Sequence, residues 1–189
     1  MQNYVIGFEP YNERLCKLRI KGKYNITLIN VYAPTEYHTE ETKEQFCDNL
    51  QYLLDKTPKS DTIIILGDVN ALLGKERLYN EVTGQHTLHE ETNRNGELLC
   101  EFAYTNSMVV MSINFQHKRI HKITRVSPDQ NTASQTDHII INANKKGVIE
   151  DVRSMTGPDI NSDHFLIKAV INKKLSAIHK KIETSTKME

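Results

Sequence analysis

The stretch Ile63-Ile64-Ile65-Leu66-Gly67-Asp68-Val69-Asn70 runs through four consecutive apolar residues, three of them β-branched, and then breaks into a glycine, an acid and an amide. Such a run suits a strand covered on both faces. In open α/β sheets, ligands bind just past the carboxyl ends of such strands. Asp68 and Asn70 therefore stand where a carboxylate and a carboxamide could address one reacting group. Taken alone, the stretch reads better as an ordinary Asp/Asn turn after a strand. The balance shifts because Asp137 precedes another apolar run and Ser162-Asp163-His164 precedes a third.

Outward from this strand the chain alternates in character. Toward the N-terminus, residues 4–8 read as a short strand. Residues 14–21 then alternate, with Cys16, Leu18 and Ile20 on one side and Lys17, Arg19 and Lys21 on the other. That pattern predicts a half-buried strand with a solvated basic face. Lys21-Gly22-Lys23 turns it into a second strand over residues 25–32, a hairpin that Ala33-Pro34-Thr35 ends. Residues 39–56 read as a helix, with Phe46, Leu50, Leu53 and Leu54 at helical spacing and Glu40 and Glu41 favouring its dipole. Strand, helix, strand argues for α/β layering.

Toward the C-terminus, residues 74–94 are polar and irregular. Asn95-Gly96 starts a second helix that buries Leu98, Leu99, Phe102 and Ala103. Short strands are expected over residues 107–111, 138–141 and 165–171. Residues 124–131 are turn-rich. Beyond residue 171 the chain becomes a polar, lysine-rich tail, 172–189, in which Leu175, Ile178 and Ile182 could line one face of a helix.

At 189 residues, with 38% hydrophobic and 25% charged, the chain is a globular domain with a real core. Basic and acidic residues balance at 24 each, so net charge argues neither for nor against nucleic acid. Cys16, Cys47 and Cys100 are odd in number and contain no CxxC, which fits packing in a reducing compartment. The N-terminus lacks a charged segment and a long apolar core, and no stretch reaches membrane-spanning length. The expectation is an intracellular protein, nuclear or cytoplasmic, with no membrane partner.

Three tempting motifs fail. Gly67 to Lys75 has six residues between its glycines and a Glu76 where a phosphate loop needs Ser or Thr. His86-x-x-His89-Glu90 has the wrong order for a zinc helix and reads as a solvated loop. Ser162-Asp163-His164 is no serine-hydrolase triad, whose members come from separate segments. The run His117-Lys118-Arg119-Ile120-His121-Lys122 could follow a phosphate backbone, though such runs are more often a solvated face.

The combination carries more than its parts. Asp68 and Asn70 follow their strand, whereas Asp137 and Asp163-His164 precede theirs. If those strands run antiparallel to the first, all five lie at one sheet edge. Acids, an amide and a histidine suit metal-assisted phosphodiester hydrolysis: carboxylates for a hard cation, a carboxylate for water, and a histidine for the charge on phosphorus.

In order, Asn30-Val31-Tyr32-Ala33-Pro34-Thr35, Gly67-Asp68-Val69-Asn70-Ala71, Ser134-Gln135-Thr136-Asp137-His138 and Ser162-Asp163-His164 resemble the endonuclease/exonuclease/phosphatase superfamily. More closely they resemble the endonuclease domain of RTE-type LINE retrotransposons, and residues 85–129 resemble the copies called craniofacial development protein 2-like. The resemblance covers nearly all of residues 4–171. It implies a four-layer α/β sandwich, two mostly antiparallel sheets with outer helices, and a Mg²⁺- or Mn²⁺-dependent enzyme that nicks DNA. It further implies that Asp68 orients or activates water, Asn70 supports it, Tyr32 contacts the phosphate and Asp163 lies beside the metal. Asp137 would hold His164, which stabilises the pentacovalent phosphate. Lys118 and Arg119 are the candidate contacts to the DNA backbone.

This chain departs from the pattern in places. The family's first strands and its metal-binding Glu come before the segment matching Tyr4. The resemblance therefore predicts an incomplete domain over residues 1–171, with its N-terminal part and main metal carboxylate missing. Arg125 stands where related copies carry Trp; buried and unpaired, a charge there costs about 3–5 kcal/mol. Thr136 and Val69 replace an apolar residue and a common Phe. Three readings stay open: an active endonuclease, a non-catalytic remnant or binding fragment of the same fold, and a phosphatase of the same superfamily.

Overall fold

A computed structural model describes residues 4–157 and 162–172. The polar tail beyond Asn172, with Leu175, Ile178 and Ile182, lies outside the described residues. Along the chain run β1 (Val5–Pro10), β2 (Leu15–Ile20), β3 (Ile26–Tyr32), α1 (Glu40–Asp55), β4 (Thr62–Asp68), α2 (Arg94–Thr105) and β5 (Met108–Val110). Then come β6 (Arg125–Val126), β7 (Ala133–Ser134), β8 (Asp137–Asn142), β9 (Ile149–Met155) and β10 (Leu166–Ile171).

Six strands form one sheet in the order β1-β2-β3-β4-β8-β5. Only β3 and β4 pair in parallel, joined by α1 as the alternation predicts. Thr39 caps α1 by accepting from the Thr42 amide, and Asn93 caps α2 by accepting from the Gly96 amide. Both helices cover one sheet face: Phe46, Leu50 and Leu53 of α1 and Leu99, Cys100 and Ala103 of α2 share a core with Ile29, Val31, Ile63, Ile65 and Ile140.

The opposite face buries Ile26, Ile64, Val109, Ile139 and Ile141 against Ile149 and Val152 of β9. There β9 and β10 form a second, two-stranded antiparallel sheet. Strand β4 is thus apolar on both sides because both sides are covered. Fully burying each isoleucine contributes roughly 1.5–3 kcal/mol. This is a mixed α/β sandwich with two sheets face to face and helices outside the larger. Among the described residues the layers are helices, six-stranded sheet and the β9–β10 sheet; β6 and β7 pair as a further two-stranded antiparallel sheet. None of their helices is long and apolar enough to cross a membrane.

Three local expectations need correction. The basic face of β2 is not solvated: Lys17 pairs with Glu9 at 2.7 Å, and Arg19 grips the buried Asp61 through Nε at 2.6 Å and Nη2 at 3.1 Å. Asp61 is only 1% exposed and also accepts from the Thr27 hydroxyl. Strand β9 is absent from the sequence reading because a bulge at Val170/Ile171 breaks its register. Its apolar residues then fall at 149 and 152, off the strand period. Finally, β10 does not join the sheet that holds Asp68 and Asp137. It arrives from the second sheet, because its apolar side packs on that sheet's face.

Candidate active site

The register of three strands builds the base of the site. Tyr32 of β3 pairs with Asp68 of β4, and Asp68 pairs with Asp137 of β8. Residues directly opposite each other project to the same face, so hydroxyl, carboxylate and carboxylate form a row across the sheet. Asp68 ends its strand and Asp137 begins an antiparallel one, as expected of strands running in opposite directions.

Gly67 allows this row to form. Its φ is +135°, and a Cβ there would stand 2.1 Å from the carbonyl oxygen of Val31. Beyond it, the ladder extends through Ala33 N to Asp68 O at 2.8 Å and Val69 N to Thr136 O at 3.0 Å.

Asn70 holds Asp68 from below. Its main-chain amide donates to Asp68 Oδ1 at 2.9 Å, and its side-chain amide donates to Ala33 O at 2.9 Å. Asn70 adopts φ +50°, a left-handed conformation that asparagine tolerates. Its carbonyl accepts from the side chains of Asn95 at 3.1 Å and Asn93 at 3.3 Å. The start of α2 is therefore the buttress of the Asp68 turn. The Asn95-Gly96 pair is visible in sequence only as a helix start, with nothing in it to signal this role.

His164, just before β10 and bridged to Arg125 of β6, closes the site. Its Nδ1 lies 3.1 Å from Asp137 Oδ2, and its Nε2 lies 3.9 Å from Asp68 Oδ2. The hydrogen bond with Asp137 outweighs burial and raises the imidazole's pKa, and the carboxylates of Asp68 and Asp163 add to the effect. Burial raises the Asp68 carboxyl, against the pull of the Asn70 amide; the nearby Asp137 charge adds to the rise. The two groups are thus both shifted toward the protonated form.

Thr124 ties the parts together, and the sequence carries no signal of it beyond a turn-rich context. Its hydroxyl accepts from the amides of Thr136 at 3.0 Å and Asp137 at 3.2 Å. Its carbonyl accepts from the Phe165 amide at 2.8 Å. One buried threonine therefore links the start of β8 to the entry of β10. His89 also departs from expectation: it is half-buried, and its Nε2 accepts from the Gln135 amide at 3.0 Å. It supports the loop before Asp137 instead of lying in a solvated loop.

Asp163 points to Arg125, not to the other acids. Arg125 Nε donates to Asp163 Oδ2 at 2.8 Å, and that hydrogen bond holds the carboxyl below its usual range. The arginine is 41% exposed and paired, so the cost expected for a buried lone charge is not incurred. Tyr32 is exposed and lies under the Arg14 guanidinium, 5.4 Å from the ring centroid. Lys118 and Arg119 are exposed, at a one-turn helix (Arg119–His121) that Ser154 holds to β9 through the Ile120 carbonyl at 3.2 Å.

Nucleases of this superfamily are generally dependent on divalent metal. Among the described residues, no three His, Cys, Asp or Glu side chains are grouped to hold an ion. Asp68 is engaged by Asn70, Asp137 by His164 and Asp163 by Arg125. This donor set does not by itself fit such a centre.

Comparison with known proteins shows the family. Residues 26–168 match the family described as endonuclease-reverse transcriptase. Craniofacial development protein 2 of Tragulus javanicus is 35% identical over 181 residues, which cover 95% of this chain and 31% of that protein. The chain thus spans about a third of that relative's length. The endonuclease domain of TRAS1, a telomere-specific non-LTR retrotransposon, superposes with a TM-score of 0.57 at 14% identity, over 85% of this chain and 64% of that one. A 3′ phosphatase from Neisseria, NExo, bound to a product DNA hairpin, superposes with a TM-score of 0.61 at 15% identity, over 89% and 71%. The family match and the 35% identical relative show it: the chain belongs to the endonuclease-reverse transcriptase family of the endonuclease/exonuclease/phosphatase superfamily.

Proposed function

We propose that this chain is a phosphodiesterase domain that nicks DNA. The observation that supports the reading best is the line Asp137–His164–Asp68, closed at 3.1 Å on one side of the imidazole and open at 3.9 Å on the other. No oxygen fits between atoms this close, but one seated beside the pair can lie within hydrogen-bond reach of both. A phosphate oxygen there would accept from His164 Nε2 while Asp68 orients or deprotonates the attacking water.

A protonated His164, held by Asp137, meets the negative charge that grows on the pentacovalent phosphate. The raised pKa of Asp68 makes it a better base than an ordinary carboxylate. Asn70 positions Asp68 through its main chain, and Tyr32 offers its hydroxyl to the phosphate from the same row. Lys118 and Arg119 would contact neighbouring backbone phosphates. Mg²⁺ or Mn²⁺ would supply charge stabilisation where hard oxygen ligands allow, but Asp163 is taken by Arg125 and no step above depends on the ion.

The test is plasmid nicking in the presence of Mg²⁺ by the wild-type chain, Asp68→Ala and His164→Ala. Each variant should lose on the order of a hundredfold or more; equal activity in all three proteins refutes the reading. One observation favours a second reading, a non-catalytic DNA-binding fragment: the capture of Asp163 by Arg125. DNA binding without nicking in any divalent metal would support it.

A further inference from the structure

Arg125 has no part in the chemistry above, yet it sits within the site. It faces His164 directly in an antiparallel bridge, so the two side chains leave the backbone on the same side. The neighbouring Val126 amide donates to the Asp163 carbonyl at 2.9 Å. Asp163 is therefore held by this strand through both main chain and side chain.

The guanidinium spends its Nε–H on Asp163. Among the described residues, its two terminal nitrogens donate to no acceptor. They belong to a side chain 41% exposed, within electrostatic reach of Asp68 and Tyr32. A planar fork of free N–H donors beside the His164 imidazole matches the paired oxygens of a phosphodiester. Charge points the same way. The site gathers the carboxyl groups of Asp68, Asp137 and Asp163, and the guanidinium of Arg125 is the fixed cation beside them.

We propose that Arg125 is a phosphate-binding residue of this site and that Asp163 is the residue that positions it. The inference rests on the reading of the site as one for phosphodiesters. It gives Asp163 a role other than that of metal ligand. It also explains how an arginine is accommodated where related copies carry tryptophan: its charge is paired on one side and open to substrate on the other.

The experiment is binding of a fluorescent DNA duplex of about 20 base pairs to the full 189-residue chain, in EDTA, across a salt series. Folding of every variant is checked by thermal melting. Arg125→Ala should weaken binding about tenfold or more at low salt and lower the log–log salt slope by about one. Arg125→Lys, which keeps the charge but not the fork, should keep the slope and lose part of the affinity. Asp163→Asn should weaken binding, although removal of a negative charge favours DNA. Tighter binding by Asp163→Asn overturns the positioning role. Unchanged affinity and slope in Arg125→Ala, or no DNA binding by the wild type, overturns the phosphate-binding role. The nicking assay separates this inference from the catalytic reading. Arg125-dependent binding without nicking upholds the inference while the catalytic reading fails. Nicking with Arg125-independent binding does the reverse.

Discussion

Replacing Asp137 by Asn removes the charge that holds His164 and changes almost nothing in shape. In the structure the contact is a 3.1 Å hydrogen bond between two largely buried side chains, 27% and 13% exposed. A hydrogen bond to a charged group contributes about 1.5–3 kcal/mol net. The same energy lost from a transition state slows a reaction roughly ten- to hundredfold. Asp137→Asn should therefore nick DNA slower by about that factor, and it should lower the pKa of His164. The folded-state pKa of His164 is raised, so the pair's contribution to stability is fully present below the unfolded histidine value of about 6.5. It is lost as pH rises through the folded value. The stability gap between wild type and Asp137→Asn should accordingly be widest at mildly acidic pH and close on the alkaline side. NMR titration of the His164 ring, with urea melts at several pH values, measures both. An unmoved His164 titration in Asp137→Asn would refute the reasoning, whatever the nicking rate.

Arg19→Ala should destabilise the fold by roughly 3 kcal/mol, because it strands the buried Asp61 carboxylate. Burial pushes Asp61 up, but Arg19 and Thr27 outweigh it and leave the carboxyl below its ordinary value. That contribution exists above the unfolded Asp pKa and is lost as pH falls through the folded one, so the stability gap between wild type and Arg19→Ala should be widest near neutral pH and narrow in acid, as urea denaturation at several pH values would show. Gly67→Ala should cost roughly 3–5 kcal/mol in urea denaturation, since it forces a Cβ onto the Val31 carbonyl at positive φ. Burial pushes the thiols of Cys47 and Cys100 up to about 11 and about 12; mass spectrometry should find both unalkylated by iodoacetamide in the folded protein at mildly alkaline pH and alkylated in urea. The edge strand β1 exposes Val5, Ile6 and Phe8, the last at 63%. Phe8→Lys should therefore reduce concentration-dependent association in light scattering.

Much of the fold was legible because it is written in local periodicity. The hairpin β2–β3, the helix capped by Thr39, and β4 with its Gly67-Asp68 ending all follow from short-range pattern. Strand β9 was not legible. Its bulge moves the apolar residues off the strand period, and its neighbours Glu150, Asp151 and Arg153 mask the rest. The solvated reading of Arg19 failed for a different reason: the partner that buries it, Asp61, lies 42 residues away.

The same division runs through the site. The sequence by itself determined which side chains occupy strand ends: Asp68 after an apolar run, Asp137 and His164 before two others. Those placements depend only on neighbours along the chain. The tertiary structure alone decided which of them meet. Register fixes Asp68 opposite Asp137, the Thr124 hydroxyl fastens β8 to the entry of β10, and packing of the second sheet brings His164 to within 3.1 Å of Asp137. The same packing turns Asp163 toward Arg125, a contact across 38 residues. A hydrogen bond needs placement to within a fraction of an ångström. Spacing along a chain cannot specify that; the packing of two sheets can.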